Sequence, residues 1–191
     1  MNDPIARFLQ IYKRAEKEDL GDHTRVALAT TDTNGQPSVR MVLLRGIDER
    51  GFVFFTNYSS RKAREIEANP QAALCFYWES IKEQVRVEGI VKRTSNDESD
   101  IYFTSRERGS QLAAWASKQS SALESRAELL AAYDKAKVRF PGGDVPRPDF
   151  WGGFRLHPER IEFWSNKTHR MHDRVVFVYK DDTWAKKRLY P

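Results

Sequence analysis

The sequence predicts an α+β fold, mainly β: an antiparallel barrel with peripheral helices. Three observations predict it. Strand signals joined by short turns fill the first half of the chain and its last forty residues or so. Helical signals are confined to the N-terminus, one short segment near residue 60 and a central block. Hairpin turns link several of the strands, which suggests antiparallel pairing. A barrel closes its own edges but has little interior room at this size. A large ligand is therefore expected outside it, in a groove or at a dimer interface.

Residues 3–19 read as an amphipathic helix with Ile5, Phe8, Leu9 and Tyr12 on one side. "TRVALATTD" is a strand, and "TNGQ" is a hairpin turn because Asn-Gly takes positive φ at little cost. "PSVRMVLLRGI" returns, "DERG" turns and "FVFFTN" follows. "SSRKAREIEANP" is a short helix that stops before Pro70, where the preceding residue is biased away from the helical region. "QAALCFYWES" and "EQVRVEGIVKR" are two further strands, the second alternating through Val85, Val87, Gly89 and Val91. Ser95 and Glu98 make a capping-box pattern before a helix over "SDIYFTSRERGSQLAAWAS", and Ser121 and Glu124 make another before "LESRAELLAAYDKAKVRF". "PGGDVPRP" is a breaker-rich loop. "FWGGFRLHP" running on to "EFW", then "RVVFVYK" and "TWAKKRL", are the closing strands. With no internal repeat, residues 1–191 read as one domain, with 1–20 its N-terminal helix and 95–140 a helical insertion.

Composition narrows the function. The chain has 191 residues, 40% of them hydrophobic, enough for a sizeable core. No apolar run approaches the roughly 18 residues of a membrane span. "MNDPIARFLQ" carries Asp3 and Arg7 where a signal peptide would have an apolar block. The single cysteine, Cys75, forms no internal disulfide and suits a reducing cytoplasm. A net charge of +5 and a pI near 9.3 fit either a mildly basic protein or one with an anionic ligand. Nucleic acid is a poor candidate, because no aromatic-basic RNA motif appears and acids are interspersed throughout. His169 and His172 find no third ligand at metal spacing, and no G-x-S-x-G nucleophile elbow exists, so neither a metal site nor a hydrolase triad is expected.

Several segments gather positive charge. In "SSRKAREIE", Ser59 or Ser60 caps a helix that opens with Arg61 and Lys62, while Glu65 and Glu67 follow. That order opposes the helix dipole, which favours acids at the start by about 0.3–1 kcal/mol each. It makes sense with a phosphate at the N-terminus, and equally as a solvated basic turn. Tyr102, Arg106 and Ser110 are spaced by four and share a face if the helix is continuous, giving either a second phosphate site or an exposed polar stripe. Gly109 is where such a helix would break. Arg40 and Arg45 bracket an apolar strand with opposite parity, so they face different sides. Gln119 and Ser120 precede a helix start, and Gln84 heads a strand. In "IEFWSNKTHRMHDR", Arg170, His172 and Arg174 share one face if the segment is a strand, with Trp164 ending the strand before. That face suits a planar anionic heterocycle.

These segments, with "FVFFTNYSSRKAREI", "RMVLLR", "QVRVEG", "ESDIYFTSRERGSQLAAWASKQS", "PDFWGGFR" and "RLYP", together resemble the pyridoxine/pyridoxamine 5′-phosphate oxidase family over essentially the whole chain. The resemblance implies an FMN-binding split β-barrel that forms a homodimer with FMN at the subunit interface. It implies oxidation of the C4′ amine or alcohol of vitamin B6 phosphates to the aldehyde, with O₂ reduced to hydrogen peroxide. By motif, Arg40, Met41, Val42, Leu43, Leu44, Phe55 and Thr56 line the FMN, and Arg61 and Lys62 meet its phosphate. Gln84, Gln119, Ser120, Trp164 and Arg174 complete that site. Tyr102, Arg106 and Ser110, with Arg45, resemble the substrate-phosphate clamp. Arg170 and His172, flanking Met171, resemble the catalytic pair that holds the substrate ring. A related flavin oxidase acting on another ring, such as a phenazine precursor, and a non-catalytic flavin-binding module are the rival readings.

Three departures stand out. Arg45 replaces a common Lys, so a guanidinium fork replaces a point donor. Met171 replaces a common Leu, a volume-conserving change. Many members also carry a basic, aromatic segment ahead of the first helix that covers the substrate. Here Asp3-Pro4 follows almost at once on Met1, so either the chain is trimmed or substrate closure is weaker.

Overall fold

The computed structural model describes residues 3–18 and 21–191. Helix α1 spans Pro4–Glu18 and buries Ile5, Phe8, Ile11 and Ala15. Phe8 meets Phe52 and Phe76 edge-on at 4.9 and 5.0 Å. Leu9 and Tyr12 pack against the same core from its margin. Residues 19 and 20, included in the sequence expectation for this helix, lie outside the described residues, as do 1 and 2.

Among the described residues nine strands form one antiparallel sheet: β1 (Arg25–Thr31), β2 (Pro37–Leu43), β3 (Gly46–Asp48), β4 (Gly51–Asn57), β5 (Gln71–Trp78), β6 (Glu83–Arg93), β7 (Trp151–Ser165), β8 (Asp173–Lys180) and β9 (Thr183–Leu189). The main order is β2-β1-β5-β6-β7-β4-β3, with β8 also paired to β7 and β9 to β8. Strands β1 and β4 are far apart in this order. Yet Val26, Leu28, Phe52 and Phe54 enter one core with α1, so the sheet curls around it as a split barrel. The Asn-Gly hairpin is present, with Gly35 at φ +80° and Thr31 opposite Pro37. No described helix is long and apolar enough to cross a membrane.

Strand β7 organises the rest. Its first half pairs with β4 and its second half with β8. Strand β6 runs along its other side, with a register shift between Glu88 and Gly89. A Cβ at Gly89 would lie 2.0 Å from the His157 carbonyl oxygen, so only glycine lets the two backbones approach there.

The helices are α2 (Arg61–Ala68), α3 (Asn96–Ser105), α4 (Arg108–Ala116) and α5 (Arg126–Arg139). Phe103, Leu112, Ala136 and Trp151 belong to a second, smaller core that seats α3–α5 on the start of β7. Three sequence expectations need correction. The helix expected across 99–117 is two helices, broken at Arg106–Glu107 rather than at Gly109. The buried Gln111 side chain donates to the Phe103 and Thr104 carbonyls, completing the end of α3 and making the break favourable. The cap of the next helix is Ser125, which accepts from the Glu128 N–H, not Ser121. Strand β2, for all its apolar sequence, is an exposed edge, with Val39 69% and Met41 61% exposed. Finally, 168–172 is a tight turn and not a strand, so Arg170, His172 and Arg174 do not share a strand face.

Candidate active site

A cavity of about 570 Å³ opens between β2, β4, α2 and the α3–α4 pair. At one end stands Lys62, on the first turn of α2. Its ammonium is buried and donates to the Thr56 hydroxyl at 3.1 Å, the Gln119 side-chain oxygen at 3.0 Å and the Ser60 hydroxyl at 3.3 Å. All three partners are neutral, and the ammonium makes no ion pair among the described residues. Burial, reinforced by the Arg40 charge and opposed by Glu65, brings its pKa down to about 8. Ser60 occupies the N-cap position, but its side chain makes no capping bond. The α2 N-terminus therefore keeps free N–H groups beside a buried cation, the arrangement that receives a phosphate.

Behind this end lies Glu65. Its carboxylate accepts from Thr30, Ser38, Arg40 and Arg61. Burial works to raise its pKa, but bonds from Ser38, Thr30 and Arg61 hold it down at about 2. Arg40 also reaches the Leu28 carbonyl, so it faces away from the cavity, whereas Arg45 lines it. The opposite parity read from the sequence is realised. Met41, Val42 and Leu43 form a wall, while Leu44 is buried in the core beside it. Arg61 is half exposed, paired with Glu65, and is not among the residues that line the cavity.

The other end of the cavity is aromatic and basic. The Phe55 ring lies 3.9 Å from Tyr102 and 5.6 Å from Trp151, all three nearly parallel. Tyr102, Arg106 and Ser110 line this end together, although the helix expected to align them is broken. The Arg106 guanidinium makes no described hydrogen bond, and its buried Nη1 is without any partner. Burial lowers its pKa, Tyr102 opposes this and Arg45 adds to it. Gln119 lines the cavity; Ser120, at φ +69°, follows it outside the wall.

The remaining candidates sit elsewhere on the chain. Gln84, Trp164 and Arg174 are direct cross-strand neighbours, so they form one row on β6, β7 and β8. Arg174 is held by the buried Glu162 carboxylate through Nε at 2.9 Å and Nη2 at 2.8 Å. Burial works to raise the pKa of Glu162, but the Arg174 bond and the Arg86 and Arg160 guanidiniums lower it. The turn after β7 places two successive non-glycine residues, His169 and Arg170, at φ +57° and +61°. Such left-handed backbone costs on the order of 1 kcal/mol per residue and collects at functional sites. The His172 ring lies 4.7 Å from Trp164, and its Nδ1 accepts from the Lys167 N–H. Arg170 and Met171 are exposed. Trp151 begins β7 and Trp164 nearly ends it, about 40 Å apart along the strand at the usual rise per residue.

Sequence reading missed Asn57, Ser117 and Trp151 as cavity residues. Asn57 donates to the Ser117 carbonyl at 3.2 Å and closes the wall beside Gln119. Trp151 lay within the quoted "PDFWGGFR"; the paired glycines after it mark a crowded strand start, against Tyr58, Ser99, Thr94 and Phe55. Among the described residues no three His, Cys, Asp or Glu side chains converge as metal ligands.

Comparison with known proteins finds the same architecture. The family described as pyridoxamine 5′-phosphate oxidase matches residues 13–140. The family described as pyridoxine 5′-phosphate oxidase C-terminal dimerisation region matches 151–191. A pyridoxine/pyridoxamine 5′-phosphate oxidase of Rubrobacter xylanophilus is 52% identical over 99% of this chain and 87% of its own. One of Anaeromyxobacter dehalogenans is 53% identical over 99% and 96%. Among solved structures, PhzG from Burkholderia lata, in complex with tetrahydrophenazine-1-carboxylic acid, superposes with a TM-score of 0.95 at 28% identity, over 100% of this chain and 94% of its own. A pyridoxamine 5′-phosphate oxidase-related, FMN-binding protein of Nostoc punctiforme shares the fold at a TM-score of 0.80 and 18% identity, with both chains fully covered.

Proposed function

This chain belongs to the pyridoxamine 5′-phosphate oxidase family, and from that premise we propose that it is an FMN-dependent oxidase of pyridoxamine and pyridoxine 5′-phosphates. The product is pyridoxal 5′-phosphate, with O₂ consumed and hydrogen peroxide formed. The observation that carries the reading is a pair of cations in one cavity, Lys62 and Arg106, neither paired with an anion among the described residues. Two phosphoryl groups, one on the flavin and one on the substrate, match them.

The residues fit an FMN tail and ring. Lys62 and the free N–H groups of α2 take the phosphate, and Arg61 closes over it from the rim. Glu65 holds Arg61 and Arg40 in place, so Arg40 acts from behind β2. Met41, Val42 and Leu43, backed by the buried Leu44, offer strand backbone and an apolar wall. Phe55, Thr56 and Gln119 bound the cavity side of the flavin, and Ser120 stands just outside that wall. When bound, FMN supplies the two-electron acceptor for the substrate C4′ hydrogen and hands the electrons to O₂. Tyr102, Arg106, Ser110 and Arg45 fix the substrate phosphate and so orient the ring. On the amine substrate, water then hydrolyses the imine to aldehyde and ammonia.

Gln84, Trp164 and Arg174, with Arg170, Met171 and His172, belong to the same site in this reading but come from a second copy. The length of β7 between Trp151 and Trp164 supports this, since one protomer carries the two groups at opposite ends of a strand. The match of 151–191 to a dimerisation region supports it too. Arg170 and His172 then hold the substrate ring over the flavin, donating hydrogen bonds without forming covalent bonds.

Oxygen uptake by the flavin-loaded protein tests the reading. Turnover is expected with both B6 phosphates and not with unphosphorylated pyridoxamine. The likeness to PhzG supports one alternative, a non-phosphorylated ring such as tetrahydrophenazine-1-carboxylic acid. Oxidation of that compound, with B6 phosphates left untouched, would establish it instead.

A further inference from the structure

Arg106 carries the proposed phosphate contact, yet nothing polar in the described chain sets its direction. Its guanidinium makes no hydrogen bond or ion pair, and its Nη1 is shielded from solvent. What it touches are ring faces. Its Cζ lies 4.7 Å from the centroid of Trp151 and 5.7 Å from that of Phe103. Trp151 is itself fixed on every side. It is 7% exposed, its backbone N–H donates to the Pro148 carbonyl, and its backbone carbonyl accepts from Arg147. Phe103 meets it edge-on at 5.1 Å, and Phe55 and Tyr102 lie parallel to it within about ten degrees.

We propose that Trp151 is the positioning residue of the substrate-phosphate pocket. Its indole face orients Arg106 by a cation–π contact, and the ring stack through Phe55 holds the Tyr102 phenol in the same cavity. Indole is the strongest of the aromatic cation acceptors, and shielding from water strengthens the contact. The geometry makes sense of an arginine left without hydrogen bonds. None of its donors is spent on a protein partner, while the ring supplies the orientation that a carboxylate would otherwise give at the expense of anion affinity. Among the described contacts Trp151 meets neither Lys62 nor the Glu65 network, so any effect on FMN is confined to what passes through Phe55.

This inference rests on the reading of Arg106 as a phosphate ligand, and the experiment separates the two. Steady-state kinetics with pyridoxamine 5′-phosphate would compare wild type, Arg106→Ala, Trp151→Leu, Trp151→Phe and the double variant Arg106→Ala/Trp151→Leu, each loaded to equal FMN content. Trp151→Leu is expected to raise KM about tenfold with kcat nearly unchanged, the pattern of lost binding common to ground and transition states. Trp151→Phe should recover much of the loss, because a ring face remains. The double variant should have the KM of Arg106→Ala alone, because Trp151 acts through Arg106. If Arg106→Ala raises KM while both Trp151 variants keep the wild-type value, or if the double variant shows the two losses in full, Trp151 has no positioning role. If Arg106→Ala leaves KM unchanged, the phosphate reading of Arg106 fails first and the inference falls with it. Should Trp151→Leu not fold, Trp151→Phe and Trp151→Tyr carry the same comparison, with a smaller rise in KM expected from each.

Discussion

Lys62 shows how one side chain becomes an anion site with a pH signature. Its pKa, brought to about 8 mainly by burial, means that the free protein begins to lose the charge in mildly alkaline solution. A bound phosphate favours the ammonium form and raises the pKa again. FMN affinity is therefore expected to be high near neutral pH and to fall as pH rises through about 8, because binding then requires proton uptake. Lys62→Met should weaken FMN binding more than about tenfold at neutral pH, by loss of a charged hydrogen bond, and flatten that dependence. Quenching of flavin fluorescence across the pH range measures both; an unchanged slope in the variant would assign the titration to another group. The stability of the flavin-free fold runs the other way. A folded pKa near 8 lies below the unfolded 10.5, so folding penalises the charged form, and this residue's contribution improves as pH rises between those values.

At the scale of elements, β7 ties the barrel to the site. Its second and third residues are Gly152 and Gly153, and both are crowded. A Cβ at Gly153 would lie 2.4 Å from the Thr94 hydroxyl oxygen and 2.8 Å from the Phe55 ring. The backbone there is also committed: the Gly153 N–H donates to Ser99, and its carbonyl accepts from the Thr94 N–H. Gly153→Ala should therefore cost about 1–3 kcal/mol by overpacking and push Phe55 against Tyr102. Thermal unfolding checks the first effect, and a raised KM for the phosphorylated substrate checks the second. The α3–α4 break teaches a related lesson. Arg106 and Glu107 are good helix formers, and no local rule marks a break between them. The chain leaves the helix there because Gln111, from the following helix, completes α3's carbonyls. The result is that Arg106 sits at a junction facing Trp151, not along a helical stripe.

Across the whole molecule, the proposed site needs two copies of the chain. Mixing two variants tests that directly. Lys62→Met damages the cavity half and Arg170→Ala the half beyond Trp164. Alone, each should be nearly inactive at neutral pH. Dissociated and reassociated together, they should recover about a quarter of wild-type activity, because half the dimers are mixed and each of those holds one intact site. Recovery of nothing, with mixed dimers confirmed by mass, would put both halves in one protomer. The sequence by itself determined the strands, the hairpin turns, α1 and α2, and which residue types gather positive charge. These depend on periodicity and turn chemistry, which act over a few neighbours. It also carried enough ordered motifs to identify the family. Only the tertiary structure decided that Arg45 and not Arg40 enters the cavity, that Lys62 is buried among neutral partners, and that Trp151 lies over Arg106. It also decided that Arg170 stands on a left-handed turn rather than a strand. Those outcomes depend on side chains brought together from distant segments, and on what burial then does to a charge, and neither is encoded in local spacing.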